Sequence, residues 1–138
     1  MNRQDFQTLA EIRVQDALVL LNNGRYAAAY YLCGYAVECA LKACIAKQTM
    51  QYEFPDLVRV RESYTHDFNN LIKWANVMDD LDAKVHANAA FEVNWSTLSH
   101  WSEQTRYDHG ITQQDAQELY EAVTDSTDGV LTWLTNFW

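Results

Sequence analysis

Two groups of residues in this chain combine types and spacing that could do chemistry. The first is Arg61-Glu-Ser-Tyr-Thr-His66, an arginine shortly before a histidine, with Arg59 upstream of the same histidine. Metal-free cleavage of a phosphodiester needs a group that takes the proton from a ribose 2′-hydroxyl and a cation that stabilises the charge growing on the phosphorane. Histidine, titrating near neutrality, suits the first role and arginine the second. The plainer reading is a histidine at the start of a helix bonded to backbone or water, and a solvated loop arginine. Such a short pattern also arises by chance. The second group is Glu38 and Lys42, one helical turn apart in the order that favours an ion pair. They interrupt RYAAAYYLCGYAVECALKACIAK, residues 25–47, which is otherwise apolar or aromatic almost all the way round.

A helix apolar on every side is buried, so a charged pair within it has to be solvated, paired or used. One reading is an ion pair at the edge of the core. The sharper one sets Glu38 against Arg106 or His66 from another helix, in a polar pocket lined by Tyr35, Trp101 and Tyr107. Arginine among aromatic rings can stack a base or hold a phosphate. A buried carboxylate leaves its partners unpaired when removed, whereas a lysine stem can reach water, so Glu38→Ala is expected to cost more stability than Lys42→Ala.

The elements that must position these residues are helices. One proline and four glycines in 138 residues leave few places to break a helix, and no Val/Ile/Thr-rich alternation marks a strand. The expected fold is an all-α antiparallel bundle forming a single domain over 1–138. Helix 1 spans about Asp5 to Asn22 and stops at Asn23-Gly24, and the apolar helix follows as an antiparallel partner. Thr49 to Tyr64, with Pro55, reads as a loop holding at most a short helical turn. Thr65 is the expected cap of a short helix from His66 to Asn76. A longer helix opens at Asp79, Asp80 and Asp82 and ends near Trp101 to Arg106. Thr112 with Asp115 caps a last helix, expected to be kinked or broken near 125–129.

Composition narrows the functions. Hydrophobic residues make up 49% of the chain, which excludes disorder, and the net charge of −9 disfavours broad nucleic-acid coating. The uncharged run from Tyr26 to Val37 is too short to span a bilayer, which takes roughly 20 residues. No export signal is seen, so the expected location is cytoplasmic, with no membrane partner. Cys33, Cys39 and Cys44 lack zinc-site spacing and read as buried thiols. The Asp79, Asp80 and Asp82 cluster reads as solvated charge at a helix start rather than a cation site. No metal or other cofactor is expected, and there is neither a phosphate-cradling glycine loop nor a nucleophile elbow.

NNGRYAAAYYLCGYAVECALKACIAK, followed by THDFNNL, NWSTLSHWSEQTRY and AVTDSTDGVLTWLTNFW, resembles the HEPN family from Leu9 to Trp138. The resemblance implies a bundle of about five helices. It also implies a homodimer, pairing with a minimal nucleotidyltransferase, and nucleotide-binding or RNA-cleaving roles in prokaryotic toxin–antitoxin or antiphage systems. Ribonuclease members carry an arginine followed a few residues later by a histidine, and Arg61 with His66 meets that spacing. The family's motif usually sits later, near the end of the third long helix, where this chain has Arg106-Tyr107-Asp108-His109, too closely spaced. The preferred reading is therefore a dimeric, nucleotide- or RNA-associated module without chemistry of its own, with Glu38, Lys42, Trp101, Arg106 and Tyr107 as binding or network residues. The first alternative is a metal-independent ribonuclease toxin using Arg61 and His66. The second is a purely structural helical dimer.

Overall fold

A computed structural model describes residues 1–51 and 57–138, the side chains of Met50, Gln51 and Arg59 excepted. Its first helix, α1 (Arg3–Asn22), begins with a reciprocal cap in which the Asn2 side chain accepts from the Asp5 backbone and the Asp5 carboxylate accepts from the Asn2 backbone. It ends where Gly24 turns the chain with φ +76°, a conformation that suits glycine, and the Arg25 N–H donates back to the Leu20 carbonyl. The chain then returns as α2 (Tyr26–Gln51), and α1 and α2 form the most extensive helix pair. Ala29, Cys33, Ala36, Val37, Ala40, Leu41 and Cys44 of α2 are all buried, so this helix is the axis of the core, as its composition requires.

Helix α2 runs past Thr49, where a loop was expected, and a further helix, α3 (Leu57–Ser63), occupies much of the rest of that segment. Its apolar residues Leu57, Val58 and Val60 stay exposed, so it writes no buried stripe into the sequence. Pro55 and the Arg59 side chain lie outside the described residues. Helix α3 is tied to the next one, α4 (Phe68–Ala75), by the Trp74 indole N–H donating to Glu62 at 2.6 Å. The cap of α4 is Asp67, which accepts from the Asn69 N–H at 2.8 Å, rather than Thr65. Thr65 acts one step earlier, accepting from the Asp67 N–H at 3.1 Å. His66 therefore lies in the link before α4, not within it.

The long helix expected from Asp79 is two, α5 (Met78–Ala87) and α6 (Ala89–Ser99). Between them Asn88 is extended, accepts from the Phe91 N–H at 3.0 Å and donates to Asp128 at 2.8 Å. A strong capping residue has ended one helix and begun the next. A 3-10 turn (Glu103–Tyr107) leads to α7 (Gln113–Thr124), capped by Thr112 and Asp115 as expected, and α8 (Val130–Leu134) follows the anticipated break. Gly129 closes that break tightly enough that a Cβ would stand 2.5 Å from the Asp125 carbonyl oxygen. The architecture is all-α, with eight α-helices among the described residues. The count exceeds five because of the breaks near 88 and 125–129, and because α3 replaces loop.

The three cysteines are buried on α2. Burial pushes the thiols of Cys33 and Cys44 up to about 12 and that of Cys39 up to about 11. They stay protonated and serve packing. Among the described residues no helix is long and apolar enough to cross a membrane, and no three His, Cys, Asp or Glu side chains are grouped to hold a metal ion.

Candidate functional site

Glu38 comes first, because α2 carries it inward to 1% exposure. Its Oε1 accepts from Lys42 Nζ at 2.8 Å, one turn along the helix, and lies 2.8 Å from His66 Nδ1. Its Oε2 is buried and has no hydrogen-bond partner among the described residues. An ionised carboxylate only accepts, so His66 carries its proton on Nδ1 in this contact. His66 is brought to α2 because the apolar face of α4, Phe68, Leu71, Ile72 and Ala75, packs against the core and draws the preceding link with it. The His66 side chain is 46% exposed and that of Lys42 18%, so both partners of the buried carboxylate reach water. On the other side of the imidazole, Nε2 is 3.6 Å from Glu103 Oε1, and the same oxygen is 3.2 Å from the guanidinium of Arg106. That guanidinium stands 4.8 Å above the Tyr107 ring. Hydrogen bonding to Tyr107, with Glu103 and Tyr31 nearby, holds Arg106 above its usual pKa against the opposing effect of desolvation. A polar chain thus runs from Lys42 through Glu38, His66 and Glu103 to Arg106, joining α2, the link before α4 and the 3-10 turn.

Beneath it lies Trp101, 4% exposed. Its ring is stacked near Phe68 at 5.2 Å and near Tyr31 at 5.9 Å between centroids. It meets α2 at Gly34 so closely that a Cβ there would fall 2.1 to 2.3 Å from three indole atoms. A cleft of about 390 Å³ opens beside it, with His66, Asp67, Asn69, Trp95, Trp101 and Glu103 among its walls. The start of α4 borders this cleft, but Asp67 already satisfies its first free N–H, so the helix end presents a carboxylate rather than a vacant anion site.

The structure therefore joins Glu38, Lys42 and His66 directly, and reaches Arg106 and Tyr107 through Glu103. Of the two partners read for Glu38, His66 makes the contact and Arg106 does not. Trp101 lines the cleft, whereas Tyr35 and Tyr107 are not among its lining residues. Arg61 stands apart: it is exposed in the last turn of α3, and among the described residues its side chain makes no hydrogen bond or ion pair. Sequence reasoning missed three contributors. Glu103 carried a visible signal, its place three residues before Arg106. Gly34 carried another, since a glycine in mid-helix costs about 1 kcal/mol and marks a close approach. Trp95 is half-buried and forms part of the cleft wall.

The family model described as HEPN domain matches residues 4–135, nearly the whole chain. No curated protein and no solved structure matches it. The matched span takes in α1 through α8, and the helical architecture is the one the resemblance implied. The chain belongs to the HEPN family.

Proposed function

We propose that this chain is a dimeric HEPN module that binds a nucleotide or single-stranded RNA in the cleft beside His66 and has no cleavage activity of its own. It would act in the cytoplasm with a nucleotidyltransferase partner, in a toxin–antitoxin or defence-type system. The observation that carries the non-catalytic reading is the placement of His66: one ring nitrogen faces Glu38 and the other faces Glu103. With Glu103 in place neither ring nitrogen of His66 is open to a substrate hydroxyl, and among the described residues Arg61 makes no hydrogen bond or ion pair with it. The overall charge of −9 also opposes capture of a long polyanion.

Binding is supported by the cleft. Half-buried Trp95 supplies an aromatic wall, Asn69, Ser99, Ser102 and Gln104 supply hydrogen-bonding groups, and base-to-aromatic stacking is worth about 1–3 kcal/mol. Trp101 is 4% exposed and already has Tyr31 and Phe68 as aromatic neighbours, so it shapes the floor and leaves stacking to Trp95. Titration with adenosine 5′-monophosphate and with a short oligouridylate should change the tryptophan fluorescence, and Trp95→Ala should remove that saturable change. A flat titration with both ligands, or one indifferent to Trp95→Ala, contradicts the reading.

Dimerisation is supported by Ile12 and Val19, exposed on one stripe of α1. Sedimentation at micromolar concentration should give about twice the 16.0 kDa chain mass, and a clean monomer would contradict it. The nucleotidyltransferase partner rests on family membership, and an adjacent reading frame encoding one would support it.

A further inference from the structure

We propose that the Glu103 carboxylate is an internal anion seated in a phosphate subsite between His66 and Arg106, and that a phosphate group of the bound ligand displaces it. The inference rests on the nucleotide or RNA reading and names the part of the site that takes the phosphate. A single oxygen, Oε1, lies 3.6 Å from His66 Nε2 and 3.2 Å from Arg106, so two potential cationic donors converge on one point. A phosphate oxygen placed there would accept from Arg106 and, when both ring nitrogens of His66 carry protons, from Nε2 as well, which then has no lone pair to act as a base; a guanidinium matches phosphate geometry with two parallel N–H groups. The donors are held independently of Glu103. His66 is fixed by Glu38 through its other nitrogen, and Arg106 by the Tyr107 ring, with Tyr31 beside it.

Glu103 itself is held more loosely. It belongs to a five-residue 3-10 turn, its side chain is one-quarter exposed, and its contacts to His66 and Arg106 are long for charge-assisted hydrogen bonds. His66 and Glu103 both line the cleft of about 390 Å³, so there is room for the ligand on arrival. The other charged groups facing this point are already committed. Lys42 is paired with Glu38, and Asp67 caps α4. The neighbouring helix start is thereby closed to an anion, leaving His66 and Arg106 as the pair that can receive one. With the carboxylate in place the subsite is neutralised, which limits capture of unspecific polyanions.

Glu103→Gln keeps the shape and removes the competing charge. Adenosine 5′-monophosphate tests a terminal phosphate, and an oligouridylate lacking terminal phosphates tests an internal diester. Glu103→Gln should tighten binding of at least one probe by about tenfold, the size of one charge-assisted contact regained. The gain should vanish in Glu103→Gln/Arg106→Gln and be absent from Glu11→Gln, which removes the same charge from an exposed position on α1. The probe that gains identifies the source of the phosphate. No gain with either probe, a gain equalled by Glu11→Gln, or a gain that survives loss of Arg106 overturns the proposal. Wild-type binding that depends on Trp95 while Glu103→Gln gains nothing would overturn the plug and leave the nucleotide reading standing. A gain in Glu103→Gln where the wild type binds neither probe would support the plug and count against that reading.

Discussion

Gly34→Ala is expected to destabilise the protein by about 2–3 kcal/mol, although the same change in an ordinary helix interior stabilises by about 1 kcal/mol. The sign reverses because the added methyl would meet the Trp101 indole at 2.1 to 2.3 Å, far inside contact distance. Neither side can yield cheaply. Gly34 lies in mid-α2, and the ring it would push against is buried near Phe68 and Tyr31. The urea midpoint should fall with the m-value unchanged. In a Trp101→Leu background the same substitution should cost much less, because the clashing ring is gone, and the two changes should be strongly non-additive. A Gly34→Ala variant as stable as the wild type would show that Trp101 does not lie on α2 as described.

Glu38→Ala should lower stability by about 2–3 kcal/mol, combining a cavity in the core with the loss of two charge-assisted hydrogen bonds. Lys42→Ala should cost roughly half as much, because His66 remains on the same carboxylate oxygen and the lysine is already partly solvated. Glu38→Gln should fall between them, since it keeps the volume and one acceptor but loses the charge. Equal and negligible shifts in denaturant midpoint for Glu38→Ala and Lys42→Ala would show that Glu38 is solvated, contrary to its 1% exposure.

The features legible in the sequence were those written into one stretch of chain. The uninterrupted apolar run of α2, the Asn23-Gly24 stop and the Thr112 and Asp115 cap are each local, and local chemistry decides them. The break at Asn88 was hidden because the apolar period of α6 continues that of α5. The Asn88 cap on the Phe91 N–H and the tertiary contacts of Asn88 and Asn94 with Asp128 together settle the chain into two helices there. Helix α3 was hidden for the opposite reason: its apolar side chains face solvent and leave no amphipathic signature. At the candidate site, the Glu38–Lys42 pair was plain from its spacing, and His66 was among the partners considered. The link to Arg106 was not, since it runs through Glu103 and depends on the 3-10 turn being folded back onto α2, which no spacing records. Arg61 and His66, five residues apart, share no hydrogen bond or ion pair among the described residues. Closeness in sequence did not place the two side chains together.

The most direct test of a binding module without chemistry is to incubate the purified protein with single-stranded RNA in the presence of a chelator and to read both binding and the length of the RNA. RNA that is bound, with the signal lost in Trp95→Ala, and that remains intact over hours is the predicted result. Cleavage that persists with the chelator and is abolished by His66→Ala, while the helical circular dichroism of that variant stays unchanged, would contradict the account and establish the ribonuclease.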